Sequence, residues 1–336
     1  MDFKRIAVLG CGSMGMIIGA YLNKNGCPAD LIDSYKEHVD ALNKNGAHVV
    51  ERVDFTVPVH ALLPEEMEGI YDLVFLMTKQ TANKAVIENL LPHLGPDSVV
   101  CTLQNGVPEP FVDRLVGGNR TVGGTILWGA TFVGPGVSAQ TMDFNPGQLL
   151  FDIGEIDGSL TERIEAVHQV LEHMGPTRVM TNLMDARWAK LVANACGSGL
   201  SSACGVPFSY VTEDERGMEY LLRMSYEVGQ CCRAEGHVIE GHWENWDREV
   251  PGNLELNRKA FYDNYARQKT AKASMLQDLE KGRETEVRMI NGYVCEIGRK
   301  HGIPTPCNDA VVEIIEAIGR GELPLNMSNL DKMPPL

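Results

Sequence analysis

Two polar side chains on one predicted helix could act on a carbonyl compound. Lys190 and Asn194 lie four residues apart in a segment of helical spacing, residues 185–204, so both should project from one face of the helix. A lysine can donate a proton to a carbonyl oxygen while hydride adds to the carbonyl carbon, and an amide can hold the substrate. These residue types suit the reduction of a keto acid.

A second predicted helix, residues 257–282, adds a hydroxyl and carboxylates. Ser274 and Asp278 are four residues apart on it, and Glu286 follows shortly after its end. A carboxylate can orient the proton donor or hold a product hydroxyl, so Asp278 is a candidate substrate-binding residue. Taken one at a time, however, Lys190, Ser274 and Glu286 also suit an ordinary solvated helix surface.

A glycine-rich turn near the start of the chain predicts a phosphate-binding loop. Residues 5–9 (RIAVL) form a short apolar strand, residues 10–15 read GCGSMG, and the apolar positions that follow continue as a helix. The first glycine permits the tight turn, the second lets the backbone approach a pyrophosphate, and the third lets helix and strand pack closely. The diphosphate would then bind the exposed N–H groups of the helix. The residues predicted to contact the dinucleotide are Gly10, Gly12, Ser13, Met14 and Gly15.

A carboxylate follows the next apolar run. Asp33 lies eighteen residues after the last glycine of the turn, at the end of the second predicted strand. It would accept hydrogen bonds from the adenosine ribose hydroxyls and would repel a 2'-phosphate, so it favours NAD over NADP. Chance glycines can produce the turn pattern alone, but a strand, a helix and an acid at the expected spacing argue for a dinucleotide site.

The rest of the first half alternates between strands and helices. This order predicts an α/β fold with a Rossmann-type doubly wound sheet, whose ligands bind after the strand ends. Residues 117–158 are rich in Gly, Thr and Val, with turn signals at 134–136 and 145–147, so we expect antiparallel strands that extend the sheet. The other predicted elements are helices near 35–45 and 82–90 and strands at 73–77 and 98–103.

Helical spacing dominates from about Asn182 onward. We therefore predict a dinucleotide-binding domain over residues 1–181 and an all-helical substrate and catalytic domain over 182–336. Residues 321–336 contain three prolines and no periodicity, which predicts a surface-bound extension. The predicted helices of this domain are 185–204, 216–235, 257–282, 284–301 and 309–318.

The composition indicates a globular cytoplasmic protein. Hydrophobic residues make up 44% of the 336 residues and charged residues 22%, with no run of eighteen uncharged apolar residues that would span a membrane. The first strand begins within a few residues of the N-terminus, which leaves no room for a signal peptide. Nine scattered cysteines without a C-x-x-C pair fit a reducing compartment, as buried core thiols.

The net charge of −15 argues against nucleic acid as a partner, because duplex binding requires a clustered basic surface. It also argues against an anionic membrane surface. A small anionic substrate would be repelled by the overall field, so local cations would have to hold it. We expect a small-molecule substrate, and the sequence leaves the assembly open, with a homodimer as one option.

The motifs together resemble those of ketopantoate reductases, also called 2-dehydropantoate 2-reductases, over essentially the whole chain. Their order and the eight residues from Asp278 to Glu286 agree with that family. The matching pieces are Leu9-Gly10-Cys11-Gly12 with Gly15, Thr78-Lys79, Gln104-Asn105-Gly106, Trp188-Ala189-Lys190-Leu191 with Asn194, Ser274-Met275-Leu276-Gln277-Asp278, Thr285-Glu286 and Ile290-Asn291-Gly292.

The resemblance implies a Rossmann domain joined to an all-helical domain, with the active site in the cleft between them. It implies hydride transfer from a nicotinamide to a 2-keto acid, which gives the D-2-hydroxy acid. Lys190 would be the general acid and Glu286 would assist it. The residues implied to position the reactants are Asn105 and Asn194 at the nicotinamide and substrate, Ser274 at the substrate carboxylate and Lys79 along the coenzyme.

The chain departs from this family at the predicted coenzyme site. An arginine that grips the 2'-phosphate of NADPH commonly follows the second strand, whereas Asp33 and Ser34 stand there in this chain. NAD(H) is therefore the preferred coenzyme. NADP(H) stays an alternative if Lys36 or Lys79 accommodates the 2'-phosphate.

The predicted substrate pocket departs as well. Ser198 and Ala271 stand where the family has asparagines, and the loss of hydrogen-bonding groups can shift specificity strongly. The small residues of 197–202 could admit a bulkier substrate, or they could pack helices closely. The substrate is then ketopantoate or, with a D-2-hydroxyacid dehydrogenase as the alternative, another branched or aromatic 2-keto acid. A protein that senses NAD(H) and a metabolite without turnover is an alternative of another class.

Two other clusters are weaker candidates. His237 and His242 are five residues apart rather than the four that place zinc ligands on one helical face, so we predict no metal site. Trp243 and Trp246 suit helix packing or a pocket rim better than a cofactor site.

Overall fold

The computed structural model describes residues 1–239, 251–266 and 269–336. They form two compact units, one of residues 1–104 and 108–183 and the other of residues 105–107 together with the described part of 184–336. The domain boundary predicted from the sequence places residues 105–107 in the first domain instead. The assignment of coenzyme binding to one domain and catalysis to the other stays a prediction.

The first unit contains an eight-stranded sheet with the order β12-β11-β8-β7-β6-β1-β2-β5. Neighbouring strands are parallel except for β8 and β11. The strands are β1 Ile6–Leu9, β2 Ala29–Ile32, β3 Ala47–Glu51, β4 Phe55–Val57, β5 His60–Leu62, β6 Tyr71–Leu76, β7 Leu94–Thr102, β8 Thr121–Ile126, β9 Ala130–Gly134, β10 Val137–Gln140, β11 Phe151–Glu155 and β12 Thr177–Val179. Its helices are α1 Ser13–Lys24, α2 Lys36–Asn45, α3 Asn83–Leu90, α4 Glu109–Val116 and α5 Glu162–Glu172.

The register aligns the carboxyl ends of the central strands. Leu9 on β1 lies opposite Ile32 on β2 and Leu76 on β6, and Leu76 lies opposite Thr102 on β7. The strand order reverses at β1, which makes this edge the switch point where doubly wound sheets bind ligands. The predicted doubly wound sheet is confirmed, and the segments that follow these four strands begin at one edge.

Residues 117–158 do not all extend the main sheet, and this part of the prediction is wrong. Strands β8 and β11 join it, but the β9–β10 hairpin pairs with β3 in a second sheet of order β4-β3-β10-β9. The reason lies in burial, since β8 and β11 are buried at every residue, whereas β9 alternates between exposed and half-buried residues. A strand with one apolar face suits a small sheet, and this sheet packs on α1.

The second unit is helical, as predicted, but two of its predicted helices are interrupted. The helices are α6 Leu183–Val192, α7 Gly199–Ala203, α8 Phe208–Glu213, α9 Glu215–Ala234, α10 Pro251–Tyr265, α11 Ser274–Glu280, α12 Val287–His301 and α13 Pro306–Gly319. The segment 185–204 contains a π-helical turn, Ala193–Ser198, between α6 and α7. The segment 257–282 holds parts of two helices, α10 and α11, and residues 269–273 between them are not helical.

The C-terminal extension is attached more firmly than its sequence predicts. It includes a 3-10 helix, Met327–Lys332, in which Asn329 and Leu330 are buried. The Asn329 side chain donates from Nδ2 to the carbonyls of Ala203 and Pro324, each at 2.8 Å. A buried amide with two backbone partners fixes the segment to the helical unit.

All nine cysteines lie in the described ranges outside disulfide bonds, eight of them buried and Cys27 half-buried. Burial raises the pKa of the Cys11 and Cys196 thiols well above the ordinary value, which favours the protonated thiol. Among the helices that the structure describes, none combines the length and the apolar character needed to cross a bilayer.

Candidate active site

The glycine-rich turn has the close packing expected of a dinucleotide loop. Gly10 has φ of +101°, and a Cβ there would lie 2.5 Å from the backbone nitrogen of Thr78. A Cβ at Gly15 would overlap the carbonyl oxygen of Gly10. At Gly12, by contrast, a Cβ would meet no atom within 4 Å. The first and third glycines are therefore required by the fold, and the second leaves space in front of the loop.

Helix α1 directs the N–H groups of its first turn at this space. Gly12 is its N-cap, with no side-chain cap and no acidic residue in the first turn, while Ser13 and Met14 are half-buried. An uncapped helix N-terminus carries a partial positive charge and free N–H donors, which are suited to a phosphate. The residues present fit the diphosphate of a dinucleotide.

A pocket lies beside this turn, within the first unit. Its walls include the apolar side chains of Met67 and Val86, and Asp33 and Ser34 stand at the end of β2 on its border. The Asp33 carboxylate accepts the N–H of Tyr35 at 2.9 Å, which holds it in a turn after β2. An apolar lining bordered by one carboxylate is the kind of surface that suits an adenine ring and its ribose. The other lining residues are Leu9, Gly10, Ile32, Pro64, Thr78 and Asn89.

A buried histidine, which the sequence reasoning missed, supports the glycine-rich turn. His38 on α2 is 1% exposed. Its Nδ1 accepts the N–H of Gly136 at 2.9 Å, so its Nε2 carries the proton and donates to the Cys11 carbonyl at 2.8 Å. Burial lowers the pKa of His38. Its place beside Val39 on the apolar face of a predicted helix was the available signal.

Gln104 is a second supporting residue, immediately before Asn105. Its buried amide pairs with that of Asn83 through bonds of 2.6 and 3.1 Å, and its Nε2 donates to the Thr78 carbonyl at 2.6 Å. The Thr102 hydroxyl donates to its Oε1 at 3.1 Å. Gln104 therefore ties the end of β7 to the loop after β6, where Lys79 is exposed. Its position in the Gln-Asn-Gly motif was the signal that could have found it.

The structure places the predicted catalytic residues in the second unit. Lys190 is half-buried in the last turn of α6, and Asn194 follows within the π-helical turn. The continuous α-helix that would stack this pair is interrupted between them, so simple four-residue spacing no longer describes their arrangement. The Asn194 Nδ2 is buried and has no hydrogen-bond partner among the described residues. It is a donor that a ligand oxygen could satisfy.

The other predicted site residues lie on elements packed near this turn. Ser274 is exposed at the first residue of α11, and Asp278 is buried one turn later. Glu286 is 8% exposed and directly precedes α12. Helices α11 and α12 both pack against the π-helical turn, and Asn105 belongs to the same unit. The turn, α11 and α12 are thus assembled in one unit, while the glycine-rich turn, Asp33 and Lys79 belong to the other.

The small residues near Ser198 serve helix packing. Ser198 is half-buried at the end of the π-helical turn. A Cβ at Gly197 would lie 2.5 Å from the Tyr265 ring, and a Cβ at Gly199 would lie 2.8 Å from Oδ1 of Asn291. Of the two interpretations of this segment, close packing accounts for both glycines.

The weaker candidates acquire no further support. His237 pairs with Asp185, with Nδ1 3.2 Å from the carboxylate. His242, Trp243 and Trp246 lie outside the described residues. Within the described ranges, no group of three or more His, Cys, Asp or Glu side chains could hold a metal ion.

Comparison with known proteins identifies similar sequences over most of the chain. The family model described as ketopantoate reductase PanE/ApbA matches residues 6–156, and the model of its C-terminal part matches residues 182–319. A 2-dehydropantoate 2-reductase of Archaeoglobus fulgidus is 26% identical over 324 residues, which cover 96% of this chain and 100% of that protein. One of Pyrococcus abyssi is 28% identical over 309 residues, which cover 90% and 94%.

Solved structures with the same fold include two kinds of enzyme. D-mandelate dehydrogenase with NADH and anilino(oxo)acetate has a TM-score of 0.82 at 22% identity, covering 95% of this chain and 99% of that one. A 2-dehydropantoate 2-reductase from Geobacter metallireducens GS-15 has a TM-score of 0.78 at 27% identity, covering 93% and 99%.

Proposed function

Because the chain belongs to the ketopantoate reductase family, we propose that it is a nicotinamide-dependent reductase that converts a 2-keto acid into the D-2-hydroxy acid. The observation that carries the proposal is the cradle at Gly12, where an uncapped helix N-terminus faces open space. It is accompanied by the pocket that Gly10 and Asp33 line. The relatives named 2-dehydropantoate 2-reductase support the reaction class.

In this proposal the chain supplies the proton and the orientation. When bound, the nicotinamide supplies the hydride that adds to the carbonyl carbon. Lys190 donates a proton to the carbonyl oxygen, which becomes the product hydroxyl, and the lysine recovers a proton from solvent. Glu286 assists the lysine as a neighbouring carboxylate. The residues assigned to hold the reactants are Asn105, Asn194, Ser198, Ser274 and Asp278 for the substrate, and Gly10, Gly12, Ser13, Met14, Gly15, Asp33, Lys79 and Asn105 for the coenzyme.

Replacement of Lys190 tests the proton donor. We expect Lys190→Met to lower kcat roughly a hundredfold or more, because it removes the acid while keeping most of the side-chain volume. The Kd for NADH should change little, since the phosphate cradle lies in the first unit. Lys281→Met, at an exposed lysine after α11, is the matched control. Normal turnover by Lys190→Met would show that another group donates the proton.

We propose NADH as the preferred coenzyme because Asp33 borders the pocket that fits the adenosine. A carboxylate there repels a 2'-phosphate. Binding of NADH and NADPH can be compared by fluorescence titration. Asp33→Ala should lower the ratio of the Kd for NADPH to the Kd for NADH by at least about tenfold. Asp54→Ala, at an exposed aspartate of the same unit, should leave the ratio unchanged. An unchanged ratio in Asp33→Ala would mean that Asp33 does not face the ribose.

The substrate is proposed as ketopantoate or another branched or aromatic 2-keto acid. The second option is favoured by Ser198 and Ala271, which replace the asparagines of the family resemblance. Steady-state rates with ketopantoate, 2-ketoisovalerate, 2-ketoisocaproate and benzoylformate distinguish the two. Binding of NADH without turnover of any of the four would refute both and would favour the metabolite sensor.

A further inference from the structure

The helix that carries the proposed proton donor changes type where it reaches Asn194. After α6 the chain forms the π-helical turn Ala193–Ser198, and α7 begins at Gly199. The Gly199 N–H donates to the Asn194 carbonyl, five residues back, which is the hydrogen bond of a π-helix. Such turns are uncommon and frequently occur at functional sites, so the forces that maintain this one bear on what Asn194 does.

Two side chains from other helices donate to the carbonyls of this turn. Tyr265, the last residue of α10, donates its hydroxyl to the Ala193 carbonyl at 3.0 Å. Asn291 on α12 donates from Nδ2 to the Ala195 carbonyl at 2.9 Å. Both side chains are buried. Donors inserted into a helical ladder in this way stabilise a local widening of the helix.

Close packing fixes the direction of both donors. The Tyr265 ring stacks on Phe208 with centroids 4.9 Å apart, and a Cβ at Gly197 would lie 2.5 Å from the Tyr265 ring. A Cβ at Gly199 would lie 2.8 Å from Oδ1 of Asn291. A larger residue at either glycine would displace its partner, so small residues and donors act together to shape the turn.

A buried polar network orients Asn291 in turn. Its Nδ2 also donates to Oδ1 of Asn308 at 2.9 Å, and Asn308 donates to Glu227 at 2.7 Å. Glu227 also accepts the N–H groups of Cys307 and Asn308 at the start of α13. This arrangement leaves Oδ1 of Asn291 without a hydrogen-bond partner among the described residues. A buried unsatisfied acceptor is a cost that a contact selected only for stability would avoid.

We propose that Tyr265 and Asn291 are positioning residues, which hold the π-helical turn so that the Asn194 amide is presented to the bound keto acid. The proposal rests on the proposed function, in which Asn194 contacts the substrate. The buried Nδ2 of Asn194, which lacks a partner among the described residues, is the donor that the turn holds in place. Tyr265 and Asn291 act through it.

A single hydroxyl deletion tests this role. Tyr265→Phe removes the donor to Ala193 and keeps the ring, and Tyr262→Phe makes the same change at a tyrosine on α10 that is 54% exposed. We expect Tyr265→Phe to lower kcat/KM for the keto acid about tenfold, the size expected when a buried carbonyl loses its donor. Tyr262→Phe should keep wild-type values. The Kd for NADH should be unchanged in both variants.

A double-mutant cycle with Asn194→Ala separates positioning from general destabilisation. If Tyr265 acts through Asn194, then Tyr265→Phe has little further effect on kcat/KM once the asparagine is gone. A tenfold loss that persists in the Asn194→Ala background overturns the proposal. Wild-type kcat/KM in Tyr265→Phe overturns it as well.

Hydrogen exchange gives a readout that does not depend on the reaction. Amides of residues 197–199 should exchange faster in Tyr265→Phe than in wild type, and Tyr262→Phe should match wild type. Unchanged exchange in Tyr265→Phe overturns the proposal. If the wild-type protein binds NADH but reduces no keto acid, the proposed function fails, and the exchange measurement alone then decides whether Tyr265 holds the turn.

Discussion

His38 should make the first unit less stable at acidic pH. Only the neutral ring can both accept the Gly136 N–H at Nδ1 and donate to the Cys11 carbonyl from Nε2. Burial lowers the pKa of His38 from its ordinary value of 6.5, although the bond to Cys11 and the charge of Asp33 act in the opposite direction. The Tyr35 ring stacks on the imidazole with centroids 6.4 Å apart. Protonation at Nδ1 would therefore break the bond from the Gly136 N–H, while Nε2 could still donate to the Cys11 carbonyl.

The size of the effect follows from proton linkage. Because the pKa is lower in the folded state, the unfolded chain takes up the proton first as the pH falls, and stability present above the unfolded pKa is lost. If the folded ring stays neutral, the free energy of unfolding falls by about 1 kcal/mol between about pH 6.5 and 5.5. His38→Gln cannot titrate, and it keeps a donor near Nε2. At neutral pH this variant should have a free energy of unfolding about 1 kcal/mol lower than wild type, because the Gly136 N–H is left unsatisfied.

Because the chain contains two compact units, the assay must report on the first unit alone. Hydrogen exchange of its peptides, measured in urea between about pH 5.5 and 7.5, gives its opening free energy. The difference between wild type and His38→Gln should shrink by about 1 kcal/mol on acidification. His93→Gln is the control, at a histidine that bonds the Gly69 carbonyl near the surface. This variant should still show the pH dependence of stability that His38 causes. A difference that stays constant with pH would refute the assigned tautomer and burial.

Three further predictions concern the loop, its support and the C-terminal extension. Gly15→Ala should lower the free energy of unfolding of the first unit by about 2 kcal/mol or more. Gly12→Ala should preserve stability but weaken NADH binding. Equal losses of stability in the two variants would contradict the packing found at these two glycines. Gln104→Met should weaken NADH binding and lower the free energy of unfolding by about 2 kcal/mol, because it removes the partners of the buried Asn83 amide. Wild-type values in chemical denaturation and in NADH titration would contradict the supporting role of Gln104. Asn329→Ala should expose the last residues to protease, and mass spectrometry showing an intact terminus would contradict the anchoring role.

Much of the first unit could be predicted because its order is encoded locally. The apolar run of β1, the glycines and Asp33 are close in sequence, and parallel strands bring such segments to one edge of the sheet. The β9–β10 hairpin was predicted with its turn, but its partner strand could not be. Whether a hairpin joins one sheet or another depends on which surface covers its apolar face, and here that surface is α1.

The supporting residues were harder to find than the residues they support. Lys190 and Asn194 were found through residue type and motif, whereas the roles of His38 and Gln104 depend on partners that are distant in sequence. His38 bonds residue 136, nearly a hundred positions away. A polar residue on the apolar face of a predicted helix is the general sign of such a role, because a buried polar group must find a partner.

The π-helical turn shows why spacing alone could not complete the site. Helical periodicity across 185–204 is compatible with one long α-helix, and a single widened turn changes it too little to be read from residue types. The hydrogen bonds that stabilise the turn are donated by Tyr265 and Asn291, which lie about seventy and a hundred residues further along the chain. A catalytic helix can therefore keep an ordinary sequence pattern while remote donors decide the direction of its key side chain. The sequence can therefore identify Asn194 as a candidate site residue, but only the packing of α10 and α12 against the turn explains how its amide is held.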